Sequence, residues 1–357
     1  MNGRTVGLPA ETKDGERRVA LDPTAAATLT RQGHRLLVQA GAGLGSGFSD
    51  ADYKEAGARI VPDAEEAWSA EVVVKVKEPQ APEYGLFRSD LTLFCYLHLA
   101  AEPALTKALV DSGITAYAFE TVADTSGLPL LAPMSEIAGR TAAIVGAHHL
   151  NAHSQGSGTL MGGAAGVPPA RVVVIGLGVA GTMAARGARG LDAEVLGVDV
   201  DLDRLRSHHL DGTVTATLAS THDAVGAAVA GADLVIGAAL VPGARAPVVV
   251  TREQVAAMRP GSVIVDLAID QGGCVETSRP TSHSDPIYVE HGVVHYCVTN
   301  VPGQYPSTAS RALSAAVAPR LLRLLSDPDA PALAGGRNVA GGQIVHPAVA
   351  AALQENA

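Results

Sequence analysis

The run Arg171-Val172-Val173-Val174-Ile175-Gly176-Leu177-Gly178-Val179-Ala180-Gly181 constrains this chain more than any other stretch. Four consecutive β-branched residues predict a buried strand, and the helix formers Thr182-Met183-Ala184-Ala185-Arg186 predict a helix after it. The glycines between them are spaced GxGxxG, and each has a physical task. The first permits a tight turn, the second lets backbone approach a pyrophosphate, and the third lets helix and strand pack closely, with the helix N-terminus facing the phosphates. In a chain with 39 glycines the spacing alone is weak. Here the next strand, Glu194 to Val198, delivers Asp199 twenty-three residues after Gly176. A carboxylate there accepts ribose hydroxyls and repels a 2′-phosphate, and the nearest basic residue after it, Arg204, is not adjacent in sequence, which favours NAD over NADP. A second glycine cluster, Gly41-Ala42-Gly43-Leu44-Gly45-Ser46-Gly47, has Ser46 where a third glycine belongs and is followed by only a short capped segment. It reads as a turn.

The first 120 residues alternate strands with helices: Thr5 to Leu8, His34 to Gln39, Val72 to Lys77, Leu91 to Tyr96 and Ile114 to Glu120 read as strands. Asp22 caps the first helix, Pro23 suits its first turn, and Gly33 stands where the chain leaves it. A second alternating series starts at Arg171 and continues with Glu194 to Val198, Asp233 to Leu240, Ser262 to Leu267 and Val294 to Val298. Ser135 to His153 reads as a long helix with Ser135 as cap and Glu136 in its first turn, and Ala309 to Ser326 as a second long helix returning to the first domain. Gly156 to Pro169 reads as a flexible linker. The fold class is therefore α/β: two Rossmann-like domains with parallel sheets, the first discontinuous in sequence, joined by long helices. The boundaries fall at residues 1–130 plus 309–357 and at 131–308, the latter binding NAD.

Composition excludes several classes. The net charge is −10 with 26 basic residues, which argues against a nucleic-acid partner. The longest nearly apolar stretch, Val172 to Ala185, holds three glycines between flanking arginines, so no membrane segment is expected. The N-terminus meets Glu11, Lys13, Asp14, Glu16, Arg17 and Arg18 before any signal-like run, and a cytoplasmic location follows as the default. Cys95, Cys274 and Cys297 show neither disulfide nor metal-ligand spacing, so reduced thiols and no metal are expected.

Chemistry needs polar groups at strand ends. In an open parallel sheet the ligand lies beyond the carboxyl ends of the strands, which places Asp199, Leu240, Val241, Asp270 and Asn300 there; Asp270 reads equally as a carboxylate capping the next turn. Lys75 and Lys77 share one face of their expected strand, either as a site pair or as solvated lysines on an edge. His98 follows the apolar run Leu93 to Leu97 and reads as a proton relay or a core histidine. Arg17-Arg18 reads as a surface pair, although a guanidinium fork suits a substrate carboxylate.

Read together, Pro9-Ala10-Glu11-Thr12-Lys13 with Arg17-Arg18-Val19, Val76-Lys77-Glu78-Pro79, Leu97-His98-Leu99-Ala100, Leu131-Ala132-Pro133-Met134-Ser135-Glu136-Ile137-Ala138-Gly139 and Asp266-Leu267-Ala268-Ile269-Asp270-Gln271-Gly272-Gly273 resemble the alanine dehydrogenase family, and the likeness extends through Asn338-Val339-Ala340-Gly341-Gly342. The resemblance implies reversible oxidative deamination of L-alanine by NAD to pyruvate and ammonium, in a homohexamer. It implies that Arg18 and Lys77 hold the substrate, that Met134 lies against it, and that His98 and Asp270 move protons. It further implies that Ser135, Gly176, Gly178, Val179, Ala180, Gly181, Asp199, Leu240, Val241, Ile269, Asp270 and Asn300 bind NAD; Glu120 falls at a matching position with no defined role. Where the family has a small apolar residue and a Thr-Ser-Thr run, this chain reads Tyr305-Pro306-Ser307-Thr308-Ala309-Ser310, which leaves a dehydrogenase of another small L-amino acid open. The soluble NAD-binding part of a transhydrogenase and an NAD-binding regulator without turnover are also compatible with the fold. Retention of Arg18, Lys77, His98 and Asp270 together speaks against the regulator.

Overall fold

The computed structural model describes residues 3–125, 127–239 and 245–355. It separates into two units, 3–134 with 303–355 and 135–239 with 245–302. In the first, β1 (Thr5–Leu8), β2 (Arg35–Gln39), β3 (Arg59–Val61), β4 (Val72–Val74), β5 (Thr92–Cys95) and β6 (Thr115–Ala118) are parallel and lie in the order β3-β2-β1-β4-β5-β6. In the second, β7 (Arg171–Ile175), β8 (Glu194–Asp199), β9 (Ala216–Ala219), β10 (Leu234–Gly237), β11 (Val263–Asp266), β12 (Ile287–Glu290) and β13 (Val293–Tyr296) form a sheet ordered β9-β8-β7-β10-β11-β13-β12. Both follow the doubly wound order in which the winding reverses beside the first strand, between β1 and β4 and between β7 and β10.

The parallel expectation holds for these cores and fails at their edges. β12 runs antiparallel to β13. In the first unit β14 (Arg337–Ala340) and β15 (Gln343–Ile344) extend the sheet past β6, each antiparallel to its neighbour. The pairs β12–β13 and β14–β15 are hairpins, which need only a short return of chain, whereas β14 joins β6 after the chain has come back from the second unit.

The strands are apolar because helices cover both faces. Along β7, Val172 and Val174 enter one core with Leu234 and Val263, while Val173 and Ile175 enter the opposite one with Val235 and Ile264. Each such buried side chain contributes about 1.5–3 kcal/mol. The first helix, Pro23–Arg31, starts where its sequence says: Asp22 accepts the Ala25 amide at 2.8 Å and Gly33 leaves the helix at φ +87°.

Three local expectations are corrected. β4 stops at Val74 rather than Lys77, because the amides of Val76 and Lys77 turn to the Glu11 carboxylate at 2.6 and 3.3 Å. The long helix spans Ala132–His149, so Ser135 is its fourth residue and not its cap; Pro133 is tolerated in the first turn, where its missing N–H has no partner to lose. The stretch 156–169 lies inside the second unit and is no linker. Its backbone bonds to Gly261 and Leu150, Ala164 pairs with Val167, and Met161 is buried. The chain passes from the first unit to the second within Ala132–His149 and returns ahead of the helix Pro306–Ser326.

Candidate active site

In the second unit the glycine turn joins β7 to the helix Val179–Gly190. Gly176 adopts φ +86° and donates its N–H to Val198 at 2.7 Å. Gly178 is the N-cap, exposed, and a Cβ there would meet nothing within 4 Å, so its backbone stands open to a ligand. At Gly181 a Cβ would lie 1.7 Å from the Gly176 carbonyl oxygen, so only glycine lets the helix approach the strand end. Turn, open backbone and close packing fall on the three glycines in that order. Val179 and Ala180 form the first turn of the helix; Val179 is 44% exposed beside the loop.

Asp199 ends β8 and is buried. Its Oδ2 accepts the Leu177 amide at 2.7 Å and Arg204 Nη1 at 3.0 Å, and its Oδ1 accepts the Asp201 amide at 2.9 Å. Burial opposes its ionisation, but the amides of Asp201 and Leu177 and the Arg204 guanidinium outweigh that and hold the carboxyl below its usual range. Although Arg204 is five residues on in sequence, the helix Leu202–Leu210 turns it back onto Asp199.

Asp266 ends β11 and is almost wholly buried. Its oxygens accept the amides of Ala268, Cys274 and Val275 at 3.0, 2.9 and 3.1 Å and the Ser278 hydroxyl at 2.7 Å. These bonds close the loop whose turn, Ile269–Gln271, buries Ile269 and leaves Asp270 exposed. The capping task weighed for Asp270 thus belongs to Asp266. Asp270 instead accepts the amide of Asn300 at 3.3 and 3.4 Å, and Asn300 sits at φ +56°, a left-handed conformation that asparagine tolerates. Ser135 is half-buried on its helix. Leu240 and Val241 lie outside the described residues.

In the first unit the polar residues gather beyond the ends of β1, β4, β5 and β6. Arg18 is not on the surface: it is 2% exposed, with its fork on Glu16, Nε to Oε1 at 2.7 Å and Nη2 to Oε2 at 2.5 Å. Burial works against the charge and Glu16 more than restores it, so the guanidinium stays ionised. Nη1 stands 3.1 Å from the sulfur of Met134, itself buried. The returning helix supports this segment, Ser310 Oγ accepting the Val19 amide at 2.9 Å. Tyr305, just ahead of that helix, is exposed.

The two lysines part ways. Lys75 is fully buried, its Nζ 2.5 Å from Glu83 and 3.7 Å from Glu11, an internal ion pair. Lys77 is also buried, and its charge together with those of His98 and Lys13 overcomes burial to hold the Glu78 carboxyl below its usual range. Neither lysine is a solvated edge residue. His98, half-buried, lies flat against Tyr96, ring centroids 6.0 Å apart and planes 11° apart. The Glu120 carboxylate accepts its backbone amide.

A rule runs through both units: the segments that carry the expected reactive side chains are tethered by carboxylates accepting backbone amides. Glu11 holds Val76 and Lys77, Glu16 holds Arg18 at 2.9 Å, Glu120 holds Leu97 and His98, and Asp266 holds the Asp270 loop. Sequence reasoning gives no role to Glu11, Glu16, Glu83 or Asp266, although Glu16 stands two residues from Arg18 and Asp266 four from Asp270.

Two doubly wound sheets, one ending in a GxGxxG turn with a strand-end aspartate, define a Rossmann-type α/β protein. The chain belongs to the alanine dehydrogenase/PNT family, whose N-terminal domain matches residues 7–138 and whose C-terminal domain matches 142–347. It is 51% identical to the alanine dehydrogenase of Halomonas elongata over 97% of this chain and 96% of that one. Among solved structures it is similar to an L-alanine dehydrogenase, with TM-score 0.92 and 48% identity over 99% of this chain and 100% of the other. A transhydrogenase from Sinorhizobium meliloti follows, with TM-score 0.82 and 30% identity over 96% and 99%. Among the described residues no helix is long and apolar enough to cross a membrane.

Proposed function

We propose that this protein catalyses the reversible, NAD-dependent oxidative deamination of L-alanine to pyruvate and ammonium. Family membership and near full-length likeness to alanine dehydrogenases support the reading. The observation that carries it is the tethered set of Arg18, Lys77 and His98, two buried cations beside a histidine at the strand ends of the first unit.

The glycine turn fits a dinucleotide, since Gly178 leaves its backbone open and Gly181 has no room for a side chain. Gly176, Gly178, Val179, Ala180 and Gly181 would hold the pyrophosphate and Asp199 the ribose, with Ser135, Leu240, Val241, Ile269, Asp270 and Asn300 completing the site. When bound, NAD supplies the acceptor for the hydrogen and electron pair that leave the α-carbon.

The chain's own residues do the rest. Arg18 and Lys77 bind the substrate carboxylate and the oxygen that develops negative charge, and two fixed cations in a poorly hydrated site stabilise that charge more strongly than water does. Met134 packs against the substrate beside Arg18. Water must add at the α-carbon and ammonium must leave, so protons move twice; His98 and Asp270 take and return them. In this reading the enzyme is a cytoplasmic homohexamer, which light scattering checks.

The residue roles are tested by His98→Ala and Asp270→Asn, with alanine turnover and NAD affinity measured on each. We expect turnover to vanish in both variants and NAD affinity to stay near that of the parent in His98→Ala. Parental turnover in either variant, or loss of NAD binding in both, overturns the assignment.

A further inference from the structure

We propose that Glu120 is a positioning residue for His98, a backbone clamp that holds the histidine in a conformation it would otherwise leave. This rests on the reading of His98 as a proton-transfer group given above.

His98 sits at φ +49°, in the left-handed region that a residue with a Cβ rarely adopts. Such a conformation persists only where the surroundings over-determine it. Two restraints hold the backbone here: the His98 carbonyl accepts the Ala101 amide at 2.9 Å, and on the amide side stands a carboxylate. Glu120 Oε1 accepts the His98 amide at 2.7 Å, and the preceding amide of Leu97 reaches both oxygens at 3.2 Å. Consecutive N–H groups brought together by a left-handed residue form a concave anion site, and here the anion belongs to the protein. Glu120 comes from the turn Phe119–Thr121 after β6, the sheet neighbour of β5, so the clamp ties two adjacent strand ends together.

The ring is fixed from another side. It stacks on Tyr96, whose hydroxyl donates to the Leu130 carbonyl at 2.6 Å. With the backbone clamped and the ring on a platform, the direction of the imidazole is set. The comparison with the other tethers sharpens the role. Glu11, Glu16 and Asp266 also accept backbone amides, but the residues that donate to them have ordinary φ; Asp270 does hold the left-handed Asn300, but at 3.3 and 3.4 Å, longer than the 2.7 Å from Glu120 to His98. A catalytic group displaced by about 1 Å loses on the order of 100-fold in rate.

The test uses the full-length protein and its Glu120→Ala and Glu120→Gln variants, with alanine kinetics, NAD affinity, thermal melting and a crystal structure of the alanine variant. Expected for Glu120→Ala is a fall in kcat on the order of 100-fold, unchanged NAD affinity, and a His98 φ that leaves the left-handed region. Glu120→Gln keeps one oxygen for the His98 amide and should lose less. A merely structural role would lower the melting temperature and leave kcat and the His98 φ at parental values, which overturns the proposal. If the alanine variant does not fold, the glutamine variant decides: reduced kcat with intact NAD affinity supports the clamp, and parental kcat overturns it. Absence of alanine turnover in the parent protein itself would instead strike the deamination reading.

Discussion

Asp199 and Arg204 form an ion pair at 3.0 Å at the end of β8, the aspartate buried and the arginine 43% exposed. The carboxylate proposed to keep a 2′-phosphate away also occupies the nearest guanidinium. Asp199→Ala removes the repulsion and releases Arg204 together. Hydrogen bonds to charged groups are worth about 1.5–3 kcal/mol, so the NAD to NADP ratio of kcat/KM should fall by roughly tenfold or more. Steady-state kinetics with both coenzymes checks this; an unchanged ratio would mean that Asp199 does not set the preference.

The glycine turn separates packing from ligand approach. Gly181→Ala forces a Cβ against the Gly176 carbonyl and should destabilise the fold by about 1–3 kcal/mol or more. Gly178→Ala has space and an ordinary φ of −68°, so its melting temperature should match the parent while NAD affinity falls. Thermal melts and NAD titrations of the two variants test the division. Parental NAD affinity in Gly178→Ala contradicts it.

Glu11 gives a pH signature. Burial, against the pull of Lys75, pushes its carboxyl up to about 7 from 4.5. A carboxyl raised in the folded state keeps its proton where the unfolded chain has lost it. Its contribution to stability is thus complete below about pH 4.5 and is lost as pH rises through about 7, each unit of separation being worth about 1.4 kcal/mol. Glu11→Gln should remove that slope, so the variant gains on the parent as pH is raised across the window. Parallel melting curves against pH would refute the assignment.

What the sequence discloses follows from how local the cause is. The β7 turn, the Asp22 cap and the left-handed Gly33 depend on sterics within a few residues, and all three stand as read. The glycine cluster at Gly41 to Gly47 is a turn for the same reason. The strands β3, β9, β12, β14 and β15 are not legible, because they lie at or beside the sheet edges, largely exposed or half-buried, and lack the buried apolar run that discloses a strand as short as β4. The site follows the same division. Lys77 and His98 stand out because their types are out of place after apolar runs. The setting of Lys75 is hidden because its apolar run predicts an unbroken strand, whereas Glu11, more than sixty residues earlier, draws the next amides off the ladder. Arg18 reads as a surface residue because nothing in Glu16-Arg17-Arg18 says that the first and third are buried on each other.

The central claim is most directly tested by incubating the purified protein with NAD and L-alanine and following NADH absorbance. Alanine-dependent NADH formation with equal amounts of pyruvate and ammonium is expected, as is NADH consumption when those two products are supplied. Absence of NADH formation with alanine or with any other small L-amino acid would contradict it.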